Sequence, residues 1–290
     1  MKGSPHPPAG ASLAPPPGRH ESDGWAGAIR RYARVYLACL RNCLARELEF
    51  RTSFALSAGS TLLWAIFSMV LAGLIFTNVR QVAGWDLDRM FVLTGSFLIV
   101  EGLSAALFHR NMQRLSELVN RGELDFVLTR PISSQFLVSI RYVDFGDLPT
   151  AVVGVVYLVI GIGRLALTPG PVEIGGYALL IGCALLSLYA IWFMAVTLVL
   201  WTGRINNIAA VVEPFMGLAR MPSDVYRGLV RPIMTYALPI AVIATLPSKA
   251  LLGVLEPGML LYQVGLATVL IWASHRFWHY SLRKYTSASS

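Results

Sequence analysis

Nothing constrains this fold more than its recurrent apolar runs of roughly 20 residues. At that length a helix crosses a bilayer core while pairing its own backbone polar groups. Such runs cover residues 54–76, 90–108, 174–201 and 259–278, and another begins near Phe136 or Leu148 and ends by Ile162. Of 290 residues, 55% are hydrophobic and 14% charged. The chain therefore reads as an all-α, polytopic membrane protein.

The basic residues set its orientation. Lys2, Arg19, Arg30, Arg31, Arg34, Arg41, Arg46 and Arg51 precede the first run, while Arg110, Arg114, Arg121, Arg130 and Arg141 lie between the second and third. Arg276, Arg283 and Lys284 close the chain, and the remaining connections hold only Arg80 and Arg89, then Arg164. By the excess of positive charge, both termini and the connection at 109–134 are expected in the cytoplasm. The formal charge of +8 is accounted for in this way and calls for no nucleic-acid partner.

Residues 1–24, rich in Pro, Gly, Ser and Ala, read as a disordered arm without the apolar core of a cleavable signal peptide. Residues 25–290 read as one membrane domain. Its first part, 25–52, is amphipathic: Trp25, Ile29, Tyr32, Tyr36, Cys39 and Cys43 recur at helical steps between arginines. Such a helix lies in the headgroup layer with Arg side chains on anionic lipid, or packs on other protein. Cys39, Cys43 and Cys183 form no redox or metal framework. His109, His275 and His279 fall near span ends, where a half-polar ring suits the interface.

Between the second and third runs lies a compact charged island, Arg121-Gly-Glu-Leu-Asp-Phe-Val-Leu-Thr-Arg-Pro-Ile-Ser-Ser-Gln-Phe136. The spacing predicts a short helix over 111–127, with Leu115, Leu118, Val119, Leu124 and Phe126 apolar and Arg114, Glu117, Arg121, Glu123 and Asp125 polar. Pro131 is expected to stop it and set the angle into the next span. Asp125 and Arg130 are candidates for an internal cap or salt bridge. On composition alone, such a loop is either simply solvated or seats in a partner.

With both ends on one side the crossings must be even, so 202–257 supplies one. The run 233–252 is long and apolar, but Pro239 and Pro247 interrupt it. The run 205–219 is short and carries Asn206, Asn207 and Glu213, which need partners away from lipid; 233–252 then becomes a broken hairpin. Hydropathy favours the first arrangement. Glu101, within the second run, must be neutral, paired or facing a wet cavity. Gly59, Gly154, Gly161 and Gly163 allow close helix approach. Asp86 and Asp88 beside Arg89 form either a cation-holding pair or a solvated loop.

The island fits a G-x-L-[DE]-x-x-L-x-x-P-[IV]-S pattern through Gly122, Leu124, Asp125, Leu128, Pro131, Ile132 and Ser133. A second block has Pro222 and Tyr226, then Leu229 and Arg231, then Pro239-Ile-Ala241, then Pro247, Ser248 and Leu251. With both blocks, and with its order of spans, the chain resembles the permease subunit of type-2, exporter-class ABC transporters of a bacterial branch.

The resemblance implies six transmembrane helices, an N-terminal amphipathic helix, and a cytoplasmic coupling helix. It also makes 205–219 the fifth span and places a re-entrant hairpin before the last, carrying Pro222, Tyr226, Arg231, Pro239 and Pro247. The ATPase-coupling residues would be Arg121, Gly122, Glu123, Leu124, Asp125, Phe126, Leu128, Arg130 and Pro131, with Leu124 and Phe126 as direct contacts. Glu101, Asn206, Asn207 and Glu213 would be pathway or intramembrane polar residues. Implied partners are a separate ABC ATPase holding ATP and Mg²⁺, a second permease (paralogue or self copy) and membrane lipid, in a bacterial plasma (inner) membrane. No cofactor or metal is expected on this chain, which has no G-x-x-x-x-G-K-[ST] P-loop.

The competing readings are a membrane-embedded enzyme and a secondary transporter. The first lacks H-E-x-x-H and G-x-S-x-G, and the second would show two matching broken helices where this chain has one Pro-broken region.

Overall fold

The structure, a computed structural model, describes residues 25–49, 51–130, 132–202, 216–226, 228, 230–233, 235 and 242–284. Every regular element among them is a helix. The chain divides into two compact units, Met1–Ala38 and Cys39–Ser290. The first carries the opening of α1 (Trp25–Glu49), where Arg30 and Arg34 are exposed. The second carries everything that follows.

The first apolar run lies in α2 (Arg51–Asn78). The second is part of something longer: α3 (Leu87–Ser104), a π-helical turn (Ala105–His109) and α4 (Arg110–Asn120) run on for 34 residues. At 1.5 Å per residue that is about 51 Å, roughly 20 Å more than a bilayer core, so the helix projects beyond it. Two short helices follow, α5 (Leu124–Leu128) and α6 (Ser134–Ile140).

The third run starts at Leu148 rather than Phe136. Residues 141–147 interrupt the helix, with the Asp144 carboxylate accepting the Gly146 N–H, and Pro149 sits in the first turn of α7 (Leu148–Arg164). Next come α8 (Pro171–Thr197), the short α9 (Val199–Thr202), a single turn at Val230–Pro232, α10 (Val242–Leu251) and α11 (Pro257–Lys284). Among the described residues five helices are long and apolar enough to cross a membrane. Pro131, Asn206, Asn207, Glu213, Pro239 and most of 205–219 lie outside the described residues.

Antiparallel α3 and α7 pack nearly backbone to backbone. A Cβ on Gly95 would sit 2.7 Å from the Gly154 carbonyl oxygen, and one on Gly102 would sit 2.4 Å from the Ala151 nitrogen. Gly161 faces Val92 somewhat less closely, at 2.9 Å from its Cγ2, and Arg164 pairs with Asp88 at the same end. Gly154 and Gly161 thus serve helix approach, whereas Gly59 and Gly163 face open space.

α2 lies along α7, its Ala65 carbonyl accepting from the Tyr157 hydroxyl at 2.7 Å. α8 runs parallel to α3: Tyr177 meets Ser96 near one end and the tilted rings of Tyr189 and Phe108 meet at 5.0 Å at the other. α10 is buried against α3 and α8, with the Ser248 hydroxyl 3.0 Å from that of Ser96. α11 packs on α8 through Trp278 and Phe193, whose ring centroids are 5.2 Å apart. The helix ends therefore gather at two poles: Trp85, Arg164 and Lys249 mark one, while α4, α6, Tyr189 and Trp278 mark the other.

Candidate functional site

The described residues of the charged island form an elbow at the second pole. The predicted single helix over 111–127 is corrected, because α4 stops at Asn120. Gly122 takes φ +70, a conformation open to glycine, and closes a Schellman turn. In it the Glu123 N–H donates to the Leu118 carbonyl at 2.9 Å and the Gly122 N–H to the Val119 carbonyl at 3.1 Å. Gly122→Ala is expected to cost about 1–2 kcal/mol through its Cβ in the left-handed region, read as a lowered thermal midpoint of the purified protein.

This turn reverses the chain and sends α5 back onto α4. Leu124 is 0% exposed and joins Val127, Leu115, Val119, Leu137 and Val138 in the core. The expectation that Leu124 itself touches a partner is therefore corrected: its side chain is spent holding the elbow together. Phe126 points the other way and is 74% exposed. Around it Arg121, Glu123, Leu128, Thr129 and Arg130 are exposed, and Asp125 is half-buried.

Behind the elbow, α6 is tied to two long helices. The Ser139 hydroxyl lies 2.8 Å from that of Tyr189 on α8, and Gln135 also reaches Tyr189 at 3.3 Å. Gln135 Oε1 is 2.8 Å from His275 Nδ1, and the Trp278 indole N–H donates to the Ser134 hydroxyl at 3.1 Å, both on α11. Four hydrogen bonds thus join α6 to α8 and α11, those of Gln135 and Ser139 from buried side chains, where an unpaired polar group is costly.

The linker after α6 is clamped to the root of α4. Asn111, 1% exposed, donates to the carbonyls of Leu107 and Tyr142 at 2.8 and 2.7 Å and accepts the Tyr142 N–H at 2.9 Å. The Ala106 carbonyl, in the π turn, takes the Asp144 N–H at 2.8 Å, while Arg110 pairs with the Asp144 carboxylate at 2.6 Å. Cys43 is buried against the same linker and accepts the Val143 N–H at 3.4 Å. Burial pushes the neighbouring Cys39 thiol above its ordinary pKa, and Cys43 adds to this while Arg141 opposes it. The Cys39 thiol is therefore not poised as a nucleophile.

Sequence reasoning gave no role to Asn111, Gln135, Ser139 and Trp278, and read His275 only as an interfacial ring. The only sign was a polar residue recurring at the edge of an apolar run, which is also how an interfacial residue looks.

Away from the elbow, Glu101 is paired with Arg220 at 3.4 Å, and the Arg220 guanidinium lies 5.5 Å from the Phe97 ring centroid. Of the options for Glu101, pairing is realised. Pro222 opens the 3₁₀ turn Ser223–Val225, and the Tyr226 hydroxyl donates to the Leu218 carbonyl at 2.9 Å. Arg231 lies in the turn Val230–Pro232, and Pro247 is buried inside α10.

Asp86 caps α3 through the Arg89 N–H at 2.8 Å, and Asp88 binds Arg164, so this acidic pair is spent on structure. Among the described residues no three metal-ligating side chains converge.

A family model described as ABC-2 family transporter protein matches residues 62–289, from within α2 to the end of the chain. The chain belongs to the ABC-2 transporter family. No curated protein and no solved structure matches it. Membership makes it a multi-pass membrane permease of an ABC transporter, a transport component whose family associates with an ABC ATPase subunit. The elbow, the Glu101–Arg220 pair and α10 all fall within the ABC-2 match.

Proposed function

We propose that this ABC-2 permease is the membrane half of an ATP-driven exporter and that its elbow, residues 121–133, is where a separate ATPase docks and drives it. The observation that carries this reading is Phe126, 74% exposed on a turn fixed by fully buried Leu124. An exposed aromatic held rigidly among charges of both signs suits a partner's cleft, because little side-chain entropy remains to be lost on binding. ATP and Mg²⁺ are held by that ATPase. Motion entering at Phe126 passes through α6 to α8 and α11.

The pole bearing the elbow is assigned to the cytoplasm with both termini, in a bacterial inner membrane, with the α1 arginines on anionic lipid. Six crossings are supported by direction: α8 ends at the elbow pole and α11 begins at the other, so the intervening chain must return across once. Residues 205–219 supply that crossing, and the segment carrying Pro222 to α10 is a re-entrant hairpin. The Glu101–Arg220 pair remains partly exposed, with side chains 32% and 47% accessible. Acyl chains are a poor surrounding for it, so it faces the path shared with a second permease.

The test is co-purification of the native complex. Phe126→Asp is expected to weaken ATPase retention at least about 30-fold, as loss of an aromatic anchor worth about 2 kcal/mol would, whereas Phe126→Leu retains more. A Phe126→Asp permease that folds and still holds its ATPase overturns the docking site.

A further inference from the structure

Two arginines share one ring in the linker after α6. The Arg114 guanidinium, from α4, lies 4.6 Å from the centroid of the Tyr142 ring, and that of Arg141 lies 5.5 Å from it. The two charges are therefore no more than about 10 Å apart, close to a Debye length in ordinary buffer. Asn111 holds the backbone of Tyr142 at both its N–H and its carbonyl, and the Cys43 thiol donates to the Arg141 carbonyl at 3.8 Å. The fold thus gathers these arginines at one place.

No carboxylate among the described residues pairs with either of them. Both arginines are exposed, and among the described residues neither guanidinium forms an ion pair or donates a hydrogen bond. Asp144, in the same linker, is taken by Arg110 at 2.6 Å, and Glu117, one turn along α4 from Arg114, is exposed and pairs with neither. A guanidinium over an aromatic face keeps its in-plane N–H donors turned outward, where they suit the paired oxygens of an oxyanion. The notch beneath, between α4 and α6, measures about 10 Å³, room for one water. An anion therefore rests on the two guanidinium groups rather than inside the protein.

Depth selects the anion. Arg114 lies about 40 Å along the helix that begins at Leu87, about 10 Å past a bilayer core, and helical side chains lean back toward the N-terminus. Arg141 and Tyr142 open the linker that leads into the apolar α7. Both guanidinium groups therefore fall at headgroup level. We infer that Arg114 and Arg141 together bind the phosphate of an anionic phospholipid whose acyl chains stay in the bilayer. A choline head would bring a cation of its own toward the two arginines, so a head of net negative charge is preferred. Free phosphate would meet the same donors without the bilayer that holds a lipid at this depth. The site depends on the chain's place in a membrane, which its family establishes, and not on the docking of an ATPase.

The experiment is native mass spectrometry of the full chain in a neutral detergent, with dioleoyl-phosphatidylglycerol, dioleoyl-phosphatidylcholine or inorganic phosphate added separately. Phosphatidylglycerol is expected to bind the parent about 30-fold more tightly than the double variant Arg114→Gln, Arg141→Gln, each arginine at an anionic surface being worth about fivefold. Phosphatidylcholine is expected to bind both alike. Arg141→Gln alone, where the backbone rather than the side chain is held, is expected to lose about fivefold and keeps the test decisive if the double variant misfolds. Arg30→Gln with Arg34→Gln, at exposed positions of α1, should leave the tightest phosphatidylglycerol in place. The site is overturned if Arg141→Gln binds phosphatidylglycerol like the parent, or if phosphatidylcholine or inorganic phosphate is retained as firmly. It is overturned too if the double variant keeps its lipid and instead sheds a co-purified ATPase, since the arginines then meet that partner's carboxylates.

Discussion

Replacing Asn111 with alanine is expected to destabilise the protein by about 2–4 kcal/mol and to loosen the linker after α6 from the root of α4. The side chain makes three hydrogen bonds from a position 1% exposed, two of them to both backbone groups of Tyr142. Alanine leaves a buried N–H and a carbonyl without partners, at about 1–3 kcal/mol each. Tyr142 itself is only half-buried, so water recovers part of that cost and the lower figures apply to it.

Asn111→Asp separates shape from bonding. It is nearly isosteric and still accepts from Tyr142, yet it cannot donate and faces two carbonyl oxygens with a charge. It should be at least as destabilising near neutral pH. The measurement is the thermal midpoint of each variant, with ATPase retention read in parallel through Phe126, which lies on the far side of the elbow. A midpoint for Asn111→Ala within about 1 °C of the parent would remove the clamp from the account.

Helix existence was legible in the sequence because lipid leaves a chain few choices. The runs at 54–76, 174–201 and 259–278 match α2, α8 and α11 to within a few residues at most ends. What the sequence pattern misread at the island and left open at the third run were turns made by backbone geometry. Gly122 divides the island because only a left-handed residue turns the chain so sharply, and Leu148 starts α7 because Asp144 and Pro149 reset the backbone.

The candidate site was half visible. Leu124 and Phe126 are equally apolar as letters, but their side chains point to opposite faces of one short helix, and the sign of that difference depends on Gly122. The bonds from α6 to Tyr189, His275 and Trp278 were invisible, since they join residues far apart in the chain. Thr245 and Ser248 lie in a Pro-containing apolar run, and only tertiary packing shows their hydroxyls meeting Ser223 and Ser96.

The second large effect is expected where α3 and α7 meet. In a bilayer, lipid is as apolar as leucine, so helix association rests on close packing rather than on removal of area from water. Gly154 allows that closeness: a Cβ there would lie 2.7 Å from the Gly95 carbonyl oxygen and from the Ile99 nitrogen. Contacts that short are forbidden to a real Cβ, and the opposing atoms are backbone, which cannot rotate away.

Gly154→Ala must therefore push the helices apart by several tenths of an ångström, at about 1–3 kcal/mol. Gly154→Leu is expected to exceed that range and abolish the folded permease, since the displaced α7 would also pull Arg164 from Asp88 and Tyr157 from the Ala65 carbonyl. Gly163 shares the helix but has nothing within 4 Å of its Cβ position, so Gly163→Ala should stay within about 0.5 kcal/mol of the parent. The check is the monodisperse yield and thermal midpoint of the three variants in one detergent. If Gly154→Leu survives as well as Gly163→Ala, the α3–α7 contact does not hold this fold together.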